Sequence, residues 1–423
     1  MPTLAYLANL FPTPVEPYVA AEILELRRRG VDVIPCSVRR QKDDLGDELN
    51  PLLAETLCLQ PLSRFVLLKA LCMCLLRFSL LRDLVYRVLC KGKETPRRRL
   101  GALLHTWLGA CLALRLEEKG VTHIHVHHGY FGSWIAMVAA RLLGISFSMT
   151  LHGSDLLLHP AYLDVKLKHC QFCVTVSEFN RRQILEHYPE VAAQKIRVHH
   201  LGVDCSSKPS EAGARHDPSR LLMLAVGRLH PVKDHAFLIR ACHRLRQSGV
   251  AFQCVIAGNG PEHPALEQLI GRLDLEEFVQ LLGHVPHPEL DAYYEIADLV
   301  VLTSRSEGIP LVLMEAMVRE KLVLAPAITG IPELVVDGKT GFLYPPGSLH
   351  DFVGRVRWIE QTRYALGAIR QAARDHVRKH FNQEKNLAEF CDFFLSSLGT
   401  SLSHPQIKEP VIDETLYENS ILQ

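Results

Sequence analysis

The feature that most constrains this chain is a rhythm. Short apolar, β-prone runs at 3–8, 31–36, 122–126, 146–151, 172–176 and 196–200 alternate with stretches of helical spacing. The alternation resumes at 221–226, 252–257, 279–282 and 299–303. A strand can return parallel to its predecessor only through a crossover, which a helix supplies, so this pattern predicts α/β architecture with doubly wound parallel sheets. A length of 423 residues allows two such units. The first is expected over 1–204 and the second over 221–384, joined by a Pro-, Gly- and Ser-containing linker at 205–220. The tail, 399–423, is polar and partly acidic and has the composition of a disordered segment. Ligands of such sheets bind outside the carboxyl ends of the strands, so function is to be sought just after each apolar run.

After the run at 299–303 comes S-R-S-E-G-I-P-L-V-L-M-E-A-M. A Gly-containing turn with Pro at an early helical position ends a loop on a helix N-terminus, which directs free N–H groups and partial positive charge outward. Glu307 lies in the loop and Glu315 in the helix, with seven residues between them. Carboxylates accept hydrogen bonds from vicinal hydroxyls, so the pair suits a polyhydroxylated ligand, while the backbone of Gly308, Ile309, Pro310 and Leu311 suits an anion. Taken alone, the two acids also read as a helix-start residue and a solvated one. After 221–226 the chain reads Gly227-Arg228-Leu229-His230-Pro231-Val232-Lys233. Two cations on a turn that opens a helix suit phosphate oxygens, Arg as a planar fork and Lys as a point charge; in isolation they also read as surface cations.

In the first half, His123, His125 and His127 alternate and share one strand face, but no Cys or carboxylate sits at ligand spacing. His127 and His128 read as a strand end at a cleft rim. In Thr150-Leu151-His152-Gly153-Ser154-Asp155 a strand runs directly into His152; Gly153 admits close backbone approach and Asp155 caps the next segment. Ser177 caps the helix after 172–176. Cys170 and Cys173 form a lone C-x-x-C, which is neither redox nor metal grammar without a second pair. The twelve cysteines, such as Cys72, Cys74, Cys111 and Cys254, read as reduced, buried thiols of a cytosolic protein. The opening M-P-T-L-A-Y-L has no secretory grammar.

From Leu62 to Arg99 the composition changes. Ten Lys or Arg stand against Asp83 and Glu94, a local charge of +8 in a chain whose net charge is +1. Leucines and phenylalanines lie between the charges, and no charge-free run approaches the ~18 residues of a membrane span. The region reads either as helices with solvated basic tips or as a patch lying on anionic lipid. The near-neutral total excludes nucleic acid as an obvious partner.

E-G-x-P-x-x-x-x-E-A-M from Glu307, together with G-R-L-x-x-x-K from Gly227, resembles the donor site of glycosyltransferase family 4. The resemblance implies retaining enzymes of the GT-B fold: two Rossmann-like domains facing a cleft, the last helix, 385–398, crossing back to the first. It implies that Arg228 and Lys233 hold the diphosphate of a nucleotide sugar, Glu307 the sugar hydroxyls and Glu315 the ribose. Gly227, Gly258 and Gly260 of G-N-G-P would lie by the nucleotide and Val285 by the base. The matching T-x-H-G-x-D places His152 at the sugar or reacting centre, with Glu16, His128, Gly153, Asp155 and Ser177 on the acceptor side. F-P-x-P-x-E, ending at Glu16, is similar to the colanic-acid and exopolysaccharide branch. Where relatives have Gly-Gly before Ile-Pro-Glu, this chain has Thr329-Gly330. The implied reaction transfers a hexosyl unit to a hydroxyl of a lipid-linked or polysaccharide acceptor, in the cytoplasm or on the inner face of the plasma membrane. No D-x-D occurs, so no metal or other cofactor is expected. The alternatives are a nucleotide-sugar epimerase or hydrolase, which steady transfer without donor epimerisation would exclude, and a non-catalytic sugar-nucleotide binder, which would tend to lose the donor residues.

Overall fold

The computed structural model describes residues 2–41, 49–91, 94–157, 160–206 and 219–399. The expected linker is therefore described only at its ends, and of the expected tail only Gly399; the rest of both lies outside the described residues.

Two sheets organise the chain. The first contains β1 (Thr3–Leu10), β2 (Asp32–Arg39), β3 (Leu57–Cys58), β4 (Val121–His127), β5 (Ser146–Leu151), β6 (Cys173–Thr175) and β7 (Ile196–Val198), in the order β3-β2-β1-β4-β5-β6-β7. The second contains β8 (Leu221–Val226), β9 (Phe252–Ala257), β10 (Val279–Gly283), β11 (Leu299–Val301), β12 (Leu322–Pro326) and β13 (Phe342–Tyr344), in the order β10-β9-β8-β11-β12-β13. All the pairings are parallel. Each order reverses beside its first strand: β1 lies between β2 and β4, and β8 between β9 and β11. Crossovers leave such a strand in opposite directions, and a crevice opens at the carboxyl ends. The sequence reading did not anticipate β3, β12 or β13.

Each sheet is buried on both faces, which is why its strands read as continuous apolar runs rather than alternating ones. On one face of the first sheet lie the helices Arg64–Leu76, Arg82–Leu89, Pro96–Leu116 and Phe131–Leu143. On the other lies Pro17–Arg28, joined by a helix from the far end of the chain: Gln383–Ser397 places Phe390, Cys391, Phe394 and Leu395 among Leu4, Tyr6, Ile23 and Val33. The chain crosses between the units twice, side by side. Val203 N donates to Phe381 O (3.0 Å) and Gln383 N to Val203 O (3.1 Å). A Cβ on Gly202 would stand 2.5 Å from Gln383 N, so this position admits glycine alone.

Candidate functional site

The second sheet's switch point assembles the donor-side candidates. The turn after β8 carries Arg228 and Lys233; the loop after β11, the adjacent strand, carries Ser304 and Glu307. Lys233 Nζ donates to Glu307 Oε1 (2.5 Å), and Ser304 Oγ donates to the same oxygen (2.5 Å). The ion pair is largely enclosed, with side-chain exposures of 18% and 12%. Thr303 Oγ1 ties the loops by donating to Lys233 O (3.0 Å). Glu307 N donates to Thr329 Oγ1 (3.4 Å), and Thr329 holds φ = +46°, a strained conformation for a β-branched residue. The helix Leu311–Val318 starts behind Pro310 without a side-chain cap. One turn in, Glu315 accepts from Tyr294 O–H (2.8 Å), and Tyr294 is fully buried.

Not every expected donor residue turns its face to this pair. Cβ atoms built on Gly258 and Gly260 would stand 1.9 Å from Gly227 O and 2.3 Å from Leu229 O. These glycines let the G-N-G-P turn pack backbone to backbone against the Arg228 turn. Val285 is half-buried and packs against the core around Tyr294. Arg228 is exposed, and its charge is felt by Glu16 and Tyr18 of the opposite domain.

The first sheet's switch point faces it. His128, at φ = +71°, lies between two acids: its Nε2 is 2.8 Å from Glu16 Oε1 and its Nδ1 3.7 Å from Asp155 Oδ2. Burial disfavours its charge, but Asp155 and Glu16 outweigh that and push the imidazole up to about 10. Asp155 is fully buried, so it does not line the cleft. Its carboxylate accepts from the N–H groups of Gly129 (2.7 Å), Gly153 (2.9 Å), Leu156 (3.0 Å) and His152 (3.1 Å). Burial opposes its charge; His128 and these N–H groups hold it far below the ordinary carboxylate range. Its part is to fix the loop that presents His152. Ser177 is likewise buried, its Oγ occupied by Asn180 N (3.1 Å), and it caps its helix without reaching the cleft. Gly153 faces the other domain, with Gly308 Cα 3.2 Å from where its Cβ would stand.

Along β4 the alternating histidines meet hydroxyls of β5. His123 bonds Ser146 and Ser148 (both 2.7 Å), and His125 bonds Ser148 (2.7 Å) and Thr150 (3.1 Å). Burial drives His123 down to about 3. His127 reaches His152 and Glu22. The missing carboxylate thus comes from the helix Pro17–Arg28: Glu22, His125 and His127 bring ligand-type atoms within 4.8 Å of one another.

Sequence reasoning missed several residues here. Glu22 and Tyr18 are one turn apart on a helix and gave no motif, although their spacing puts them on one face. Glu333, in T-G-I-P-E, bridges the domains by accepting from Glu178 N (2.9 Å) and Phe179 N (2.7 Å), the helix that Ser177 caps. A cavity of about 210 Å³ lies between the domains, with Tyr18, Glu22 and Thr150 on one wall and Leu311, Glu315 and Arg319 on the other.

In the 62–99 region, Arg77 donates to Leu142 O (2.6 Å) and Arg87 pairs with Glu94 (3.2 Å) and Asp164 (3.0 Å), so part of the charge belongs to the fold. The helix Arg64–Leu76 is apolar on both sides. Ala70 and Met73 face inward, while Phe65, Leu68, Leu71, Leu75 and Leu76 are exposed, from 45% for Leu71 to 86% for Leu76. Cys72 is exposed too, contrary to its reading as a buried thiol; Cys170 and Cys173 are buried, and all twelve cysteines are free. Among the described residues no helix is long and apolar enough to cross a membrane.

Known proteins match this chain in sequence and in fold. A family model described as Glycosyltransferase Family 4 matches residues 15–207, and one described as Glycosyl transferases group 1 matches 208–376. The chain is 35% identical over 315 residues to the colanic acid biosynthesis glycosyltransferase WcaL of Escherichia coli K12, covering 72% of each. It is 33% identical over 210 residues to the amylovoran biosynthesis glycosyltransferase AmsK of Erwinia amylovora, covering 47% of this chain and 51% of that one. Its fold matches the crystal structure of Anabaena HepE in complex with UDP at a TM-score of 0.66 and 17% identity, over 94% of this chain and 100% of that one.

Proposed function

This chain belongs to glycosyltransferase family 4, whose GT-B fold and nucleotide-sugar donor it shares, and we propose that it moves a hexosyl unit, with retention, onto a hydroxyl of a lipid-linked acceptor in exopolysaccharide assembly. The observation that carries the reading is the Lys233–Glu307 contact at one switch point, facing Glu16 and His152 at the other. Lys233 and Arg228 take the diphosphate, Glu307 the sugar hydroxyls, and Glu315 the ribose. The bond from the anomeric carbon to phosphate breaks while the acceptor oxygen bonds the same face, and the departing phosphate takes the acceptor's proton. The protein's work is electrostatic: two cations balance charge as it develops on the leaving group. Glu16, kept ionised by His128 against the effect of burial, accepts from a neighbouring hydroxyl of the acceptor and leaves the attacking hydroxyl's proton to the phosphate.

The exopolysaccharide assignment rests on the names of the relatives WcaL and AmsK. The acceptor's lipid is supported by the outward side of Arg64–Leu76, where leucines and phenylalanine are exposed in a region that also exposes the cations Arg64, Lys69, Arg82, Arg97 and Arg98. An apolar surface in a basic region fits an anionic bilayer surface.

A thermal-shift panel of UDP, GDP, ADP and their hexose conjugates tests the donor. A ligand at 100 times its Kd stabilises by about 2.7 kcal/mol, enough to identify the base and sugar. Turnover unchanged in both Arg228→Ala and Glu307→Ala would remove the site from consideration.

A further inference from the structure

Beneath His152 runs a chain of hydrogen bonds that glycosyl transfer, as drawn above, does not use. His152 Nε2 is 3.0 Å from His127 Nδ1, and His127 Nε2 is 3.1 Å from Glu22 Oε2. Tyr6 O–H donates to the same carboxylate oxygen. The links come from β1, β4, the helix Pro17–Arg28 and the turn after β5, and Tyr6, Glu22 and His127 are 1%, 5% and 0% exposed. A buried carboxylate in mid-helix does nothing for the helix and carries a desolvation cost, so its two donors are the reason it is tolerated. Tyr18, one turn earlier, stacks on the His152 ring with centroids 4.6 Å apart.

The directions of these bonds follow from what each group can give. Burial pushes the Tyr6 phenol up, so it stays a donor. An ionised carboxylate only accepts. Where His127 carries one N–H, Glu22, which can only accept, takes it, and this leaves a lone pair on Nδ1. That lone pair faces His152 Nε2, which must then carry the proton. His152 Nδ1 is left as an acceptor.

We propose that Glu22, His127 and Tyr6 are positioning residues that fix His152 as its Nε2–H tautomer, so that its other nitrogen offers a lone pair to a hydroxyl rather than an N–H to an oxyanion. The consequence for catalysis rests on the reading of His152 as a sugar-side group; the tautomer itself does not. The same atoms could alternatively ligate a cation. Against this, every ring nitrogen of His125 and His127 already has a partner in Ser148, Thr150, His152 or Glu22.

The test is long-range ¹H–¹⁵N correlation on the full chain labelled with ¹⁵N-histidine, with His152 identified by the signals lost in His152→Gln. The expected spectrum has a protonated Nε2 and an unprotonated Nδ1. Glu22→Leu should average the two nitrogens, and Glu22→Gln, which keeps an acceptor oxygen, should restore the signature. If the leucine variant does not fold, Tyr6→Phe removes only the O–H and should shift the same signals in the same direction. A proton on Nδ1 in the wild type, as a doubly donating His127 would impose, overturns the proposal. So do His152 signals indifferent to every Glu22 and Tyr6 variant, or one equivalent of zinc in the purified chain whose chelation moves the His127 signals. Turnover is not read, so a failure of the transfer reading leaves this result standing.

Discussion

Removing Lys233 and Glu307 one at a time should move nucleoside diphosphate affinity in opposite directions. In the free protein the two hold each other, so a diphosphate must draw Lys233 away from Glu307. Exposed ion pairs are worth about 0–1 kcal/mol and breaking buried ones costs about 3–5. At exposures of 18% and 12% this pair belongs between them, at about 1–2 kcal/mol. Glu307→Ala frees Lys233 in advance, so the nucleoside diphosphate should bind more tightly by up to that amount, about 5–30-fold. Lys233→Ala forfeits a charge-assisted bond to phosphate worth about 1.5–3 kcal/mol but also the cost of breaking the pair. Taking the low values together and the high values together, the net is about 0.5–1 kcal/mol, or about 2–5-fold weaker binding.

The nucleotide sugar should behave differently. Glu307→Ala loses the bonds to sugar hydroxyls, so the preference for the sugar conjugate over the bare diphosphate should shrink even as the diphosphate gains. Titration calorimetry with UDP, GDP and ADP and their hexose conjugates reads both quantities, and urea unfolding of the two variants and the double variant gives the coupling in the free chain. Equal weakening of the bare diphosphate by Glu307→Ala and Lys233→Ala would refute the idea that the carboxylate competes for the lysine.

Asp155→Ala should cost at least about 3 kcal/mol in unfolding free energy, because four N–H groups lose their acceptor together, and denaturant titration reads it. The gap in stability between wild type and His128→Gln should be full below about pH 6.5, the unfolded value, and shrink as pH rises toward about 10, because a raised pKa means that the folded state holds the proton more tightly. Thermal unfolding across that range checks the sign. Leu75→Glu with Leu76→Glu should abolish binding to anionic liposomes, since burying each leucine is worth about 1.5–3 kcal/mol. It should leave Tm nearly unchanged, because both side chains are already exposed. Cosedimentation that persists in this variant would place the membrane contact elsewhere.

Much of this architecture was legible because both-face burial writes a parallel strand as an unbroken apolar run. β12 escaped because L-V-L-A-P is short, ends in Pro and lies only the three residues Arg319-Glu320-Lys321 past the helix Leu311–Val318. β3 and β13, of two and three residues, are too short to show any period. Lys233 and Glu307 could be paired from sequence because each follows a strand, and the strands are neighbours across the switch point. Glu22 could not, because mid-helix acids usually face water and only the tertiary approach of Tyr6 and His127 makes this one a buried acceptor. The outward side of Arg64–Leu76 was obscured by its inward side: a helix apolar all round has no amphipathic signal even when half of it is exposed.

The glycines carry the last step. Gly153 and Gly308 each read as a place where a ligand approaches the backbone, yet in the folded chain the space beside each is filled by the other domain or its own. A Cβ on Gly308 would stand 2.2 Å from His152 O, and one on Gly330 2.2 Å from Gly308 O. Three glycines from the two halves therefore stack without an intervening side chain. Backbone contact is stiffer than contact through rotamers, so the separation of His152 from the Glu307 loop is set chiefly by main chain, with the Val176 side chain beside it. Glu333 adds a second fixed point by capping a helix of the first domain from the second. Thr329 stands in this seam at positive φ, and its hydroxyl accepts the Glu307 N–H. The strain at Thr329 is thus coupled to where the Glu307 carboxylate stands, which joins the interdomain seam to the donor site through one backbone hydrogen bond.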